Sequence, residues 1–158
     1  KPVLLGELCE QLREELETIR GDTVITVDCD QPALEVEAEE RYLHRVLQNL
    51  VTNALRYAGS QIVMVVGGDE DQVVIHVDDN GPGIPEHERE RVFKPFARLD
   101  KSRHRASGGY GLGLSIVKRI VDWHGGDIRV DESPMGGARF TVILPRSQQG
   151  QHVLGRVN

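Results

Sequence analysis

Aromatic side chains are scarce in this chain: three Phe, three Tyr and one Trp make up 4% of it. A core must therefore rest on Val, Leu and Ile, and a Phe or Tyr beside a motif carries extra meaning. Cysteine is nearly missing too. Cys9 and Cys29 form neither a metal-ligand spacing nor a disulfide framework, which fits a reducing compartment. There is no basic excess: 19 Lys and Arg against 25 Asp and Glu leave a net charge of -6. That balance argues against a nucleic-acid partner, which would need cations to neutralise phosphates, and leaves small anionic ligands open. No apolar run reaches membrane-spanning length, and Lys1-Pro2-Val3 lacks the apolar segment of a secretory signal. The chain is expected to be soluble and cytoplasmic. Without an initiator Met it also reads as a piece of something longer, for which a membrane parent stays open.

What remains is enough for one domain: 158 residues with an apolar fraction of 39%. Residues 1–146 are expected to form it, with a disordered polar tail over 147–158. Leu4, Leu5, Leu8, Leu12 and Leu16 recur at helical spacing and predict a helix over 3–20. Strands are expected at Thr23–Asp28 and, after the Gln31-Pro32 break, in a short piece at Leu34–Val36. A second helix starts at Glu39 or Glu40, with Leu43, Leu47, Leu50 and Ala54 on one apolar stripe, and stops at Gly59-Ser60. The runs 62–66 and 73–77 predict a hairpin. A third helix carries Ile116, Val117, Ile120 and Val121 and ends at Gly125-Gly126. Asp127–Asp131 and Ala138–Leu144 predict a final hairpin around Met135-Gly136-Gly137.

The chain is organised around Asp78-Asp79-Asn80-Gly81-Pro82-Gly83-Ile84-Pro85. A carboxylate ends an apolar strand there, and a glycine-proline turn follows at once. Gly81 and Gly83 allow a ligand to lie against the backbone, while Pro82 and Pro85 stiffen the turn. Asp79 accepts hydrogen bonds only, so at a pocket floor it would choose a ring bearing an amino group over one bearing a carbonyl. An ordinary β-turn is the plainer reading of these eight residues alone.

Other stretches add to it. Asn49, Asn53 and Arg56 fall at i, i+4 and i+7 on the second helix, about 130° from its apolar stripe. Neutral amide oxygens complete the coordination of a hard cation such as Mg²⁺ whose other ligands are phosphate oxygens and water; two surface Asn are the alternative. Glu86 to Arg91 reads as a solvated helical turn, and His87 there has no catalytic partner in view. Val92 to Leu99 holds two of the three Phe, and core packing of Phe93 and Phe96 is compatible with lining a pocket. Residues 94–109 reverse the sign of the chain, with Lys94, Arg98, Lys101, Arg103, His104 and Arg105 against Asp100. Beside a phosphate site that loop would act as a lid; otherwise it is a solvated loop. Gly109-Tyr110-Gly111-Leu112-Gly113-Leu114 then introduces a helix N-terminus, whose free N–H groups cradle anions. It is not a dinucleotide fingerprint, since Leu114 stands where a glycine is needed, and no P-loop occurs.

These boxes, in this order and spacing, resemble the catalytic ATP-binding domain of bacterial sensor histidine kinases, in the superfamily shared with gyrase, Hsp90 and MutL. Asn49 to Tyr57 resembles the N box, Asp79 to Pro85 the G1 box, Phe93 to Phe96 the F box and Gly109 to Leu114 the G2 box. Gly136-Gly137 resembles the last glycine pair, and the run from Arg98 to Gly109 resembles the group of kinases around RstB and EnvZ. The resemblance spans roughly residues 4–145. It implies an α+β fold, a two-layer α/β sandwich in which a mixed five-stranded sheet packs on three helices, the Bergerat or GHKL ATP-binding fold. It implies ATP and Mg²⁺ as ligands. Asp79 would accept the adenine amino group, Ile84 would pack on the ring, and Asn53 with Asn49 would face Mg²⁺. Arg56 and Tyr57 would contact phosphate and purine or ribose. Arg98 would reach the phosphates, the amides from Gly109 through Tyr110, Gly111, Leu112 and Gly113 to Leu114 would hold them, and Gly81, Gly83 and Phe93 would complete the pocket.

Hydrolytic relatives place a Glu one turn before the metal-facing Asn, where this chain has Asn49. An amide cannot take a proton from water, which favours transfer to an external nucleophile. None of His44, His76, His87, His104, His124 or His152 lies in a phosphoacceptor context such as His-Glu-Leu-Arg-Thr-Pro. The resemblance therefore implies a phosphoacceptor His on a dimerisation hairpin outside this chain, a response regulator downstream, and a parent that is an inner-membrane homodimer although this piece is monomeric. A protein-serine kinase that binds a sigma factor, a non-catalytic nucleotide-responsive module and a hydrolytic ATPase are the alternatives.

Overall fold

The computed structural model describes residues 1–57, 59–95 and 113–147. Of the expected lid cations Lys94 lies within them; Arg98, Lys101, Arg103, His104 and Arg105, together with Phe96, the loop from Gly109 to Leu112 and the tail beyond Ser147, lie outside.

Seven strands and three α-helices follow one another among the described residues: β1 (Pro2–Leu4), α1 (Leu5–Glu15), β2 (Val24–Cys29), β3 (Glu35–Glu37), α2 (Glu40–Tyr57), β4 (Gln61–Gly68), β5 (Gln72–Asp79), α3 (Gly113–Trp123), β6 (Asp127–Glu132) and β7 (Ala138–Pro145). Short 3₁₀ turns at Glu86–Glu88 and Arg91–Phe93 lie between β5 and α3. Five strands form one sheet in the order β2-β4-β5-β7-β6. Only β2 and β4 run parallel, because α2 crosses between them; every other neighbour is antiparallel. The expected mixed five-stranded sheet with three helices is what forms.

One face of that sheet is covered. Leu5, Leu8 and Leu12 of α1, Leu43, Leu47, Leu50 and Ala54 of α2, and Val117, Ile120 and Val121 of α3 are buried against Ile62, Met64, Val73, Ile75, Val77, Phe140 and Val142. The period of two along β5 buries Val73, Ile75, Val77 and Asp79 on this side. Burial pushes the Cys9 thiol up to about 12, with Cys29 nearby adding to the shift, so this sulfur stays protonated.

The first helix differs from the reading of 3–20. Val3 and Leu4 belong to β1, which pairs antiparallel with β3 through Val3 and Val36. An extended Leu4 then opens α1, and Leu16 closes it. Leucine spacing alone cannot separate these states, since both β1 and α1 bury apolar side chains on the same core.

The opposite face carries a polar row. Arg139 donates to both Asp78 oxygens at 2.7 and 2.8 Å, and the carboxylate holds its guanidinium more firmly protonated. Next along the ladder, the His76 ring and Thr141 Oγ1 lie 3.0 Å apart. Burial first, and the Arg139 charge second, lower the His76 pKa; Asp78 pulls it the other way and Arg129 adds to the lowering. The unfolded chain thus binds this proton more readily than the native one. Native stability is full above the ordinary His value and falls as pH drops through it toward the lower native value. Urea titrations between pH 7.5 and 5.5 should show a steeper stability loss in the wild type than in His76→Gln, and equal slopes would exclude His76 as the source.

Candidate functional site

Asp79 is the last residue of β5, opposite Ile62 of β4. Strand alternation turns its side chain to the helix-covered face and Asp78 to the other, where Arg139 takes it. The two adjacent acids therefore have separate fates. Asp79 is 4% exposed, and its Oδ1 accepts from Gly81 N at 2.9 Å and Ala138 N at 3.2 Å. One of those amides is two residues away and the other 59. The turn after the strand is thus pinned to the start of β7.

A glycine makes that contact possible. A Cβ on Gly137 would strike the Asp79 carboxylate and stand 2.6 Å from Gly81 N. Neither group can retreat, since one is backbone and the other is held by two amides. Gly83 sits beside Gly137 at φ 78°, in the left-handed region that a side chain disfavours. The backbone then continues to Ile84, half-buried against the core, whose carbonyl accepts from Arg89 Nε at 3.0 Å.

On the helical layer, α2 supplies Asn49 and Asn53, both half-buried, Arg56, exposed, and Tyr57 in the last turn. The first residue of α3, Gly113, faces Asn49: a Cβ there would lie 3.5 Å from Asn49 Oδ1. The helix carrying Asn49 and the end of the glycine stretch therefore meet. Leu114 packs on the core beside them. Phe93 meets Phe140 edge-on with ring centroids 6.0 Å apart, so it is anchored on the core.

The structure thus gathers Asp79, Gly81, Gly83 and Ile84 on one turn, and Asn49 and Gly113 at one helix contact. Two participants escaped the sequence reading. Gly137 was visible only as half of a glycine pair, and Arg89 was indistinguishable from the charged turn around it. Described histidines are engaged elsewhere: His44 lies 2.7 Å from Glu15, His124 Nδ1 2.8 Å from the Ile120 carbonyl, and His87 3.8 Å from Glu88.

Gly137→Ala is expected to weaken ATP binding by about fivefold or more, because overpacking of this kind costs about 1–3 kcal/mol and falls on the carboxylate itself. Titration calorimetry with Mg-ATP checks it; wild-type affinity would show that the Asp79 turn is not part of the site.

Comparison with known proteins accords with this geometry. Residues 38–148 match the family described as histidine kinase-, DNA gyrase B- and HSP90-like ATPase. The chain is 45% identical over 103 residues to the sensor histidine kinase CpxA of Escherichia coli (strain K12), covering 65% of this chain and 22% of CpxA. It is 46% identical over 105 residues to the sensor protein RstB of the same organism, covering 66% of this chain and 24% of RstB. It therefore spans about a quarter or less of the length of these curated relatives. Among solved structures, full-length ShkA in complex with AMPPNP matches with a TM-score of 0.79 at 28% identity, over 92% of this chain and 30% of that one. Histidine kinase ThkA in complex with the response regulator protein TrrA matches with a TM-score of 0.79 at 29% identity, over 94% of this chain and 42% of that one. The chain belongs to the histidine kinase-, DNA gyrase B- and HSP90-like ATPase family, as a catalytic domain of the sensor histidine kinase type.

Proposed function

We propose that this chain binds ATP with Mg²⁺ and passes the γ-phosphate to a histidine on a dimerisation hairpin outside it, from which a response regulator takes it. The observation that carries the reading is the buried Asp79 carboxylate, held by Gly81 N and Ala138 N where the strand opens into a glycine turn. A carboxylate fixed this way offers an acceptor of set direction, which suits the amino group of adenine and rejects a ring carbonyl. Ile84 supplies an apolar wall for the ring. Arg56 and Tyr57, at the far end of α2, are assigned to the phosphate and to the purine or ribose.

Asn49 and Asn53 present neutral amide oxygens, the donor type that completes a Mg²⁺ shell made mostly of phosphate oxygens and water. Bound Mg²⁺ would offset the charge of the phosphates. The backbone from Gly109 to Leu114 is assigned to the phosphates by its glycines and its place before α3, and Arg98 to the same groups. With Asn49 where a water-activating Glu would stand, this residue set favours transfer over hydrolysis. The AMPPNP complex of ShkA and the TrrA complex of ThkA support the nucleotide and the downstream partner by similarity. No helix among the described residues is long and apolar enough to cross a membrane. The proposed parent is a membrane homodimer that contributes the hairpin.

Asp79→Asn is expected to cost about 1–3 kcal/mol of ATP binding by setting an amide donor against another donor; unchanged affinity in calorimetry would remove Asp79 from the adenine site. Mixed with its parent's hairpin and radiolabelled Mg-ATP, the domain is expected to leave acid-labile phosphate on that hairpin. Acid-stable label on a serine of an added partner would point to a protein-serine kinase, binding without transfer to a nucleotide-responsive module, and steady phosphate release to an ATPase.

A further inference from the structure

The β4–β5 ladder stops at the Ile62–Asp79 pair, and by its register the next rung would join Gln61 to Asn80. The side chain of Asn80 makes that rung. Its Oδ1 accepts from Ser60 N at 2.9 Å and from Gln61 N at 3.0 Å, and its Nδ2 donates to Ser60 Oγ at 3.0 Å. Ser60 is fixed on its other side as well, since its carbonyl accepts from Val24 N at 2.9 Å. Gly59 completes the contact: a Cβ there would stand 3.2 Å from both the backbone oxygen and Oδ1 of Asn80.

The two segments joined here carry different parts of the proposed ligand, with a phosphate contact assigned to Arg56 on one and the adenine contact to Asp79 on the other. The corner around Gly59-Ser60 follows the last turn of α2, with Arg56 and Tyr57. Asn80 itself lies between Asp79 and Gly81. We propose that Asn80 is a positioning residue for nucleotide binding, tying the end of α2 that bears Arg56 to the adenine-side turn so that the two keep a fixed separation. This rests on the ATP-site reading above.

The residue type follows from the task. Two N–H groups need an acceptor and one hydroxyl needs a donor, and an amide offers both without adding charge beside a triphosphate. An Asp would supply only acceptors and a negative charge. A fixed separation helps a ligand that spans both ends, because less ordering is left to binding. Adenosine, which lacks the phosphates and so never reaches Arg56, gains little from it. The signature of the latch is therefore a change in the ratio of two affinities, which a general loss of stability would not produce.

Dissociation constants for Mg-ATP and for adenosine, the latter by competition, are to be measured on wild type, Asn80→Ala and Gly59→Ala, with thermal unfolding alongside. Asn80→Ala is expected to weaken Mg-ATP about tenfold and adenosine by less than about twofold. Gly59→Ala keeps every hydrogen-bonding group while pressing on Asn80, and is expected to shift the ratio in the same direction; it decides the matter if Asn80→Ala does not fold. Equal factors for both ligands, or no change, would overturn the latch. Failure of the wild type to bind Mg-ATP would instead overturn the ATP reading, so the two failures are distinct.

Discussion

A single carboxylate oxygen holds two distant parts of this fold together. Asp79 Oδ1 accepts from the turn that follows it and from the first residue of β7, and Gly137 gives the backbone room to come that close. Once this junction exists, the chain after β5 can leave the sheet without losing its place. Gly83, Ile84 and the turn that Arg89 fastens all hang from it. Burying an acid costs free energy unless its oxygens are satisfied, and here backbone amides, which cannot move away, help to satisfy them.

The sheet explains why that junction faces the helices. With β5 in the middle of five strands, its alternation is fixed by Val73, Ile75 and Val77, which must be buried under α2 and its neighbours. A slip of one residue would send Asp79 to the open face and Asp78 to the covered one. Arg139 guards the same register from the other side, because its guanidinium meets Asp78 only if β5 and β7 are paired as they are. Core packing and site geometry thus depend on one register.

Much of this could be read along the chain. The stripe of Leu43, Leu47, Leu50 and Ala54 predicts a helix against a sheet, and the polar set Asn49, Asn53 and Arg56 on its other side follows from the same period. The hairpins were legible because β-branched runs flank glycine turns. What was not legible shares one property: it joins residues far apart in sequence or uses backbone atoms. Leucine spacing gave no sign that Val3 and Leu4 pair with β3, because a pairing is a property of two segments. Arg89 looked like one more charge on an exposed turn until its guanidinium was seen on the Ile84 carbonyl.

The sequence by itself determined the identity of the chemical groups and their local setting: an acid at a strand's end, glycines in the turn, amides on one helix face, and no general base at position 49. It did so because helical and strand periods, and the steric freedom of glycine, act over a few residues. Tertiary structure alone decided which groups meet. Ala138 N reaches Asp79 across 59 residues, Gly113 meets Asn49, and Asn80 closes the ladder onto Ser60. Each of those contacts depends on strand order and register, which are fixed only when the whole sheet and its helices bury one common core.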